Sequence, residues 1–145
     1  MSMNLAVKEA ITRAVANEPF ARQLDISLTA LDDGYSRVEM TYDPARMDNI
    51  YRRAHGGALF GLIDEAFETA GQTDGTIAVA LNVNVSYVAS PEPGVRLIAE
   101  ARRTSQTRKT AGYAISVHDE SGRLVATCQA LAYRTGKPIP FLTKS

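Results

Sequence analysis

Between Ala58 and Ala70 the apolar residues Ala58, Leu59, Leu62, Ile63, Ala66, Phe67 and Ala70 recur at helical spacing and form one continuous stripe. A helix with such a stripe must bury it against a second layer. The material for that layer is β in character. Asp25–Leu31 and Ser36–Tyr42 alternate about the turn Asp32-Asp33-Gly34, and Pro44 to Asn49 reads as an irregular connection. Beyond the helix, Ile77–Val88, Val95–Arg103, Lys109–His118 and Leu124–Arg134 read as strands, with turn chemistry at Ser90–Gly94 and Asp119–Gly122. Consecutive strands are expected to pair antiparallel. Two strands, one long helix and four strands predict an α+β fold, a single antiparallel sheet wrapped around a central helix. A short amphipathic helix is predicted from Asn4 to about Val15, with Leu5, Ile11 and Val15 roughly on one face.

A chain of 145 residues without repeats or linkers fits one domain. Sixteen basic and sixteen acidic residues cancel, so no global field recruits nucleic acid or an anionic membrane. Cys128, the only cysteine, has no internal disulfide partner and fits a reducing compartment. Lys8 and Glu9 interrupt the apolar run that an export signal needs, and no stretch approaches the roughly 20 apolar residues of a membrane span. The expectation is a soluble, cytoplasmic protein.

Chemistry concentrates in the run from Asn49 to Ala70. His55-Gly56-Gly57 precedes the helix directly, so the amides of Gly56, Gly57 or Ala58 are among the orphan donors at its N-terminus. Such donors can hold an oxyanion, and the missing side chains let a carbonyl group approach the backbone. Taken alone, a glycine pair reads as a tight turn with close helix packing. Asp64 lies off the edge of the apolar stripe, next to Phe60, Phe67 and Gly71 at helical spacings. Desolvation there would raise its pKa and tune it as a general base or nucleophile. The plainer reading is an acid on a solvated helix edge. Glu65 and Glu68 project further round, toward water, and Tyr87 and Tyr113 read as strand residues. Two histidines without carboxylate–histidine spacing predict no metal site, and no Gly-x-Ser-x-Gly elbow marks a serine triad.

Asn49, His55-Gly56-Gly57 and Asp64, in this spacing, resemble the motif of hotdog-fold acyl-CoA thioesterases of the phenylacetate-pathway type. The resemblance extends through Asn82-Val-Asn84-Val-Ser-Tyr87-Val-Ala-Ser-Pro91 and covers roughly Phe20 to Arg134. It implies a hotdog fold and hydrolysis of an acyl-CoA thioester at a site shared between two subunits of a homodimer or a tetramer of paired dimers. By the same resemblance Asp64 acts as general base or nucleophile, the N–H of Gly56 or Gly57 holds the oxyanion, and Asn49 orients the water or the thioester. His55 is implied to hold the loop. Glu68 is a minor rival to Asp64, and Ala80 stands where some relatives carry an assisting hydroxyl.

Arg102, Arg103, Arg108 and Lys109 gather with Thr110 in one predicted hairpin of a chain that is neutral overall. Such cations can pair with the phosphates of CoA, although a solvated charged turn explains the run as well. Val88 and Ser90 would lie along the pantetheine channel by analogy. Phe60, Leu59, Ile63, Phe67, Tyr51 and Met47 are the available wall for a medium-chain or aromatic acyl group. No cofactor is expected, because the CoA moiety is part of the substrate. The alternative is a hotdog module that binds acyl-CoA without catalysis. A hotdog dehydratase ranks third, since His55 lacks the surroundings of a His and Asp pair.

Overall fold

The computed structural model describes residues 3–143. In chain order the elements are α1 (Leu5–Ala16), α2 (Pro19–Gln23), β1 (Ser27–Asp32), β2 (Tyr35–Thr41), α3 (Pro44–Met47) and α4 (Gly56–Ala70), followed by β3 (Thr76–Tyr87), β4 (Arg96–Gln106), β5 (Thr110–Asp119) and β6 (Leu124–Pro138). Two short helices escape the periodicity reading, because each is shorter than the window in which a period can be seen. Both are started by local chemistry, with proline in the first turn. In α3 the Asp43 carboxylate also accepts from Ala45 N at 3.0 Å.

The six strands form one antiparallel sheet in the order β1-β2-β4-β5-β6-β3. The expectation that consecutive strands pair holds for β1 with β2, β4 with β5 and β5 with β6, but fails for β3. After α4 crosses the sheet, the chain enters the far edge, and β3 pairs with β6 instead. The gap it leaves is closed by β2 against β4.

Helix α4 packs across the sheet, mainly over β2 and β4. Leu62, Ile63, Ala66 and Ala70 are fully buried, each large side chain contributing roughly 1.5–3 kcal/mol. Phe67 meets Tyr113 of β5 edge to face, with ring centroids 5.6 Å apart. A buried hydroxyl pair, Ser36 and Thr69 at 2.6 Å, ties β2 to the helix. Helix α1 buries Val7, Ala10, Ile11 and Val15, whereas Leu5, expected on that face, is exposed at its first turn. No helix among the described residues is long and apolar enough to cross a membrane.

The two sheet edges differ. Strand β1 has six residues and lies beside α1. Strand β3 has twelve residues, no proline, and leaves Val79, Leu81 and Tyr87 about half exposed.

Candidate active site

Helix α4 begins at Gly56, two residues before the stripe that predicts it, because His55 caps it. The His55 side chain accepts from Gly57 N through Nδ1 at 2.8 Å, so its other ring nitrogen carries the proton. The His55 carbonyl takes the N–H of Ala58 at 3.0 Å. Of the helix's first amides, the Gly56 N–H alone makes no hydrogen bond among the described residues. Its own carbonyl is held by Tyr87, whose hydroxyl donates to Gly56 O at 3.1 Å. A Cβ at Gly56 would sit 3.2 Å from the Tyr87 ring, so the glycine is needed for that approach. Tyr87 therefore does more than fill a strand, and only the contact across 31 positions reveals it.

Asn49 reaches the same place through a tight loop. Its Oδ1 accepts from Tyr51 N at 2.8 Å and Arg53 N at 3.1 Å. These bonds assign the amide and leave Nδ2 as the outward donor. Asn49, Gly56, Leu59, Tyr87, Val88 and Ser90 line one open pocket of about 400 Å³.

Asp64 opens into a different cavity. Asp64, Phe67, Glu68, Gly71, Ala80 and Ala132 are among the residues lining about 240 Å³ between α4 and strands β3 and β6. Burial pushes the Asp64 carboxyl above its ordinary range, and the negative charge of Glu18 adds to the shift. The predicted apolar wall is mostly elsewhere. Phe67 lines the cavity and Leu59 the Gly56 pocket, but Phe60 lines neither. Met47 and Ile63 are buried in the core, and Tyr51 is exposed.

The expectation that Glu65 faces water is overturned. Glu65 is 2% exposed, because α2 folds onto that side of α4 and brings Glu18 against it. Ligand oxygens of Glu18, Glu65 and Glu68 lie within 4.8 Å of one another. Desolvation first, then the proximity of the other acids, raises the Glu65 carboxyl strongly; desolvation also raises Glu68. No sequence spacing reveals this group, since Glu18 lies on another element.

The cationic hairpin forms as β4 and β5, but its four cations do not converge. Arg103 pairs with Asp33 at 2.9 Å, while Arg102 stacks on the Tyr35 ring at 4.6 Å and lies 3.4 Å from Glu100. Neighbouring strand residues point to opposite faces, which alternation alone predicts. Arg108 and Lys109 are exposed at the tip, and Thr110 bonds across it to Thr107. Arg134 fastens that tip, donating to Thr107 O at 2.6 Å and pairing with Asp74 at 2.9 Å just beyond α4.

The profile of the thioesterase superfamily matches residues 51–126. The chain is 32% identical over 123 residues to the acyl-coenzyme A thioesterase PaaI of Escherichia coli K12, covering 85% of this chain and 87% of that protein. The structure of the E. coli PaaI protein from the phenylacetic acid degradation operon superposes with a TM-score of 0.89 at 28% identity, over 95% of this chain and 99% of that one. A mutant of the phenylacetic acid degradation protein PaaI from Thermus thermophilus gives a TM-score of 0.77 at 33% identity, over 81% and 99%.

Proposed function

This chain belongs to the thioesterase superfamily and has its hotdog fold, and we propose that it hydrolyses acyl-CoA thioesters at a site completed by a second copy of itself. The observation that carries the shared site is a separation. Gly56 and Asp64 are eight residues apart on one straight helix, about 12 Å along its axis. An oxyanion donor and the base for the attacking water must both reach one carbonyl group, within roughly 7 Å of each other. One chain holds them too far apart.

Strand β3 supplies the remedy. Its first half, Ala78 to Ala80, borders the Asp64 cavity, and its end at Tyr87 borders the Gly56 pocket. Its outer edge is long, apolar and unpaired, the kind that seeks another strand. Antiparallel pairing of two β3 strands about an axis at Val83, just past their midpoint, sets residues 78–80 of one copy beside 86–88 of the other. Each Asp64 cavity then meets the pocket around Gly56 of the partner subunit, and two-fold symmetry yields two equal sites.

In this site the Asp64 carboxylate takes a proton from water, whose oxygen forms a bond to the thioester carbon. The carbonyl oxygen becomes an oxyanion held by the Gly56 N–H, since the Gly57 N–H is taken by His55. Collapse breaks the carbon–sulfur bond, and the leaving thiolate takes up a proton to give the acid and CoA. Direct attack by Asp64 would give an anhydride that water then opens. Asn49 orients the water or thioester through Nδ2, and Tyr87 holds the Gly56 peptide in place. Arg108 and Lys109, beside Thr110, are free to meet the CoA phosphates, whereas Arg102 and Arg103 are engaged within the chain. Val88 and Ser90 border the path of the pantetheine. The cavity of about 240 Å³ beside Phe67 suits an aromatic or medium-chain acyl group. No cofactor enters this reaction.

Release of free thiol from a panel of acyl-CoAs tests the reading. Wild type hydrolyses at least one member, and Asp64→Asn loses about 10³-fold or more while remaining a folded oligomer. Undiminished activity in Asp64→Asn would sink the mechanism. A wild type inactive on every member would favour a binding module.

A further inference from the structure

We propose that Glu18, Glu65 and Glu68 form a binding site for one hard divalent cation, Mg²⁺, Mn²⁺ or Ca²⁺, at the junction of α2 and α4. Their three oxygens fall within 4.8 Å of one another, the span across a cation that binds each at about 2.4 Å. Glu65 is the second, independent sign. It is 2% exposed, and its Oε2 is buried with no hydrogen-bond partner among the described residues. A carboxylate so placed requires a compensating positive charge or a donor.

No basic side chain among the described residues supplies that charge. None of the ion pairs among the described residues involves Glu18, Asp64, Glu65 or Glu68. Glu18 occupies the N-cap position of α2, yet its carboxylate makes no capping bond and stays available. Glu68 is exposed, so a hydrated ion has a way in and can keep some of its water. An all-oxygen, all-carboxylate set without His or Cys selects hard cations over zinc or copper. The ion would bridge the short α2 to the helix that carries Asp64. Hydrolysis as proposed has no step through it, so the two readings fail separately.

Chelator-treated, dialysed whole protein is titrated calorimetrically with MnCl₂, CaCl₂ and MgCl₂ in turn, and its melting temperature is followed with each. The expected result is one site per chain with a dissociation constant of about 10⁻⁴ M or tighter for at least one cation, and a rise in melting temperature. Glu18→Gln and Glu68→Gln, both at accessible positions, should each weaken binding by about tenfold or more while the circular dichroism spectrum is retained. No heat and no melting shift with millimolar concentrations of all three cations overturns the site. So does binding that both variants leave unchanged. Stabilisation of metal-free protein by mild acid, with no response to metal, overturns it in favour of a proton shared among the carboxyls.

Discussion

The two ends of the α4 site are built on different principles. Around Gly56 the proposed working group is a backbone amide, with its surroundings fixed by hydrogen bonds: His55 on Gly57 N, Tyr87 on Gly56 O, and Asn49 twice within its own loop. Around Asp64 the proposed working group is a side-chain charge, and what tunes it is burial and then the negative charge of Glu18. The first kind of site depends on orientation and the second on environment. They should therefore respond differently to substitution.

The largest effect comes from joining the two ends across copies. Gly56→Pro removes the amide hydrogen at a first-turn position whose backbone suits proline, though its added Cβ also presses on the Tyr87 ring, and should cost about 10²–10³-fold in kcat. Asp64→Asn should cost more. Mixed and re-formed oligomers of these two inactive variants should recover about a quarter of wild-type activity, because half the dimers are hybrid and each hybrid holds one site with both groups intact. Thiol-release rates on the mixture measure this, and a mixture as dead as its components would place both groups in one chain.

A smaller effect probes orientation at the Gly56 end. Tyr87→Phe removes the hydroxyl that holds Gly56 O but keeps the ring against the glycine. An expected drop of about tenfold in kcat, with KM unchanged, marks loss of an interaction that matters in the transition state. Equal change in KM would reassign Tyr87 to substrate binding. The smallest effect is on stability. His55→Ala should lower the unfolding free energy by about 1 kcal/mol in urea titrations, and His55→Asn, which can cap in the same way, should restore most of it.

Wherever one element sufficed, local pattern was legible. The stripe on α4, the hairpins and the turn residues all follow from neighbours a few positions apart, as does the placement of Asp64 on that helix. The first turn of α4 was missed because its glycines carry no hydrophobic signal; a histidine cap starts it instead. Leu5 and Glu65 were misplaced for a related reason. Periodicity marks a helical face but does not say how far round a neighbouring element will cover it, and α2 covers Glu65.

Sequence alone determined an α+β chain with one dominant helix, opened by glycines and carrying an acid two turns on, because helix period, strand alternation and turn chemistry act over short range. Tertiary structure decided what those parts can do together. It sent β3 to the far edge beside β6, split the four hairpin cations, set Tyr87 on Gly56, and gathered Glu18 with Glu65 and Glu68. Each of these joins residues on different elements, and such contacts are chosen by how whole elements pack against one another, which no short stretch of sequence encodes.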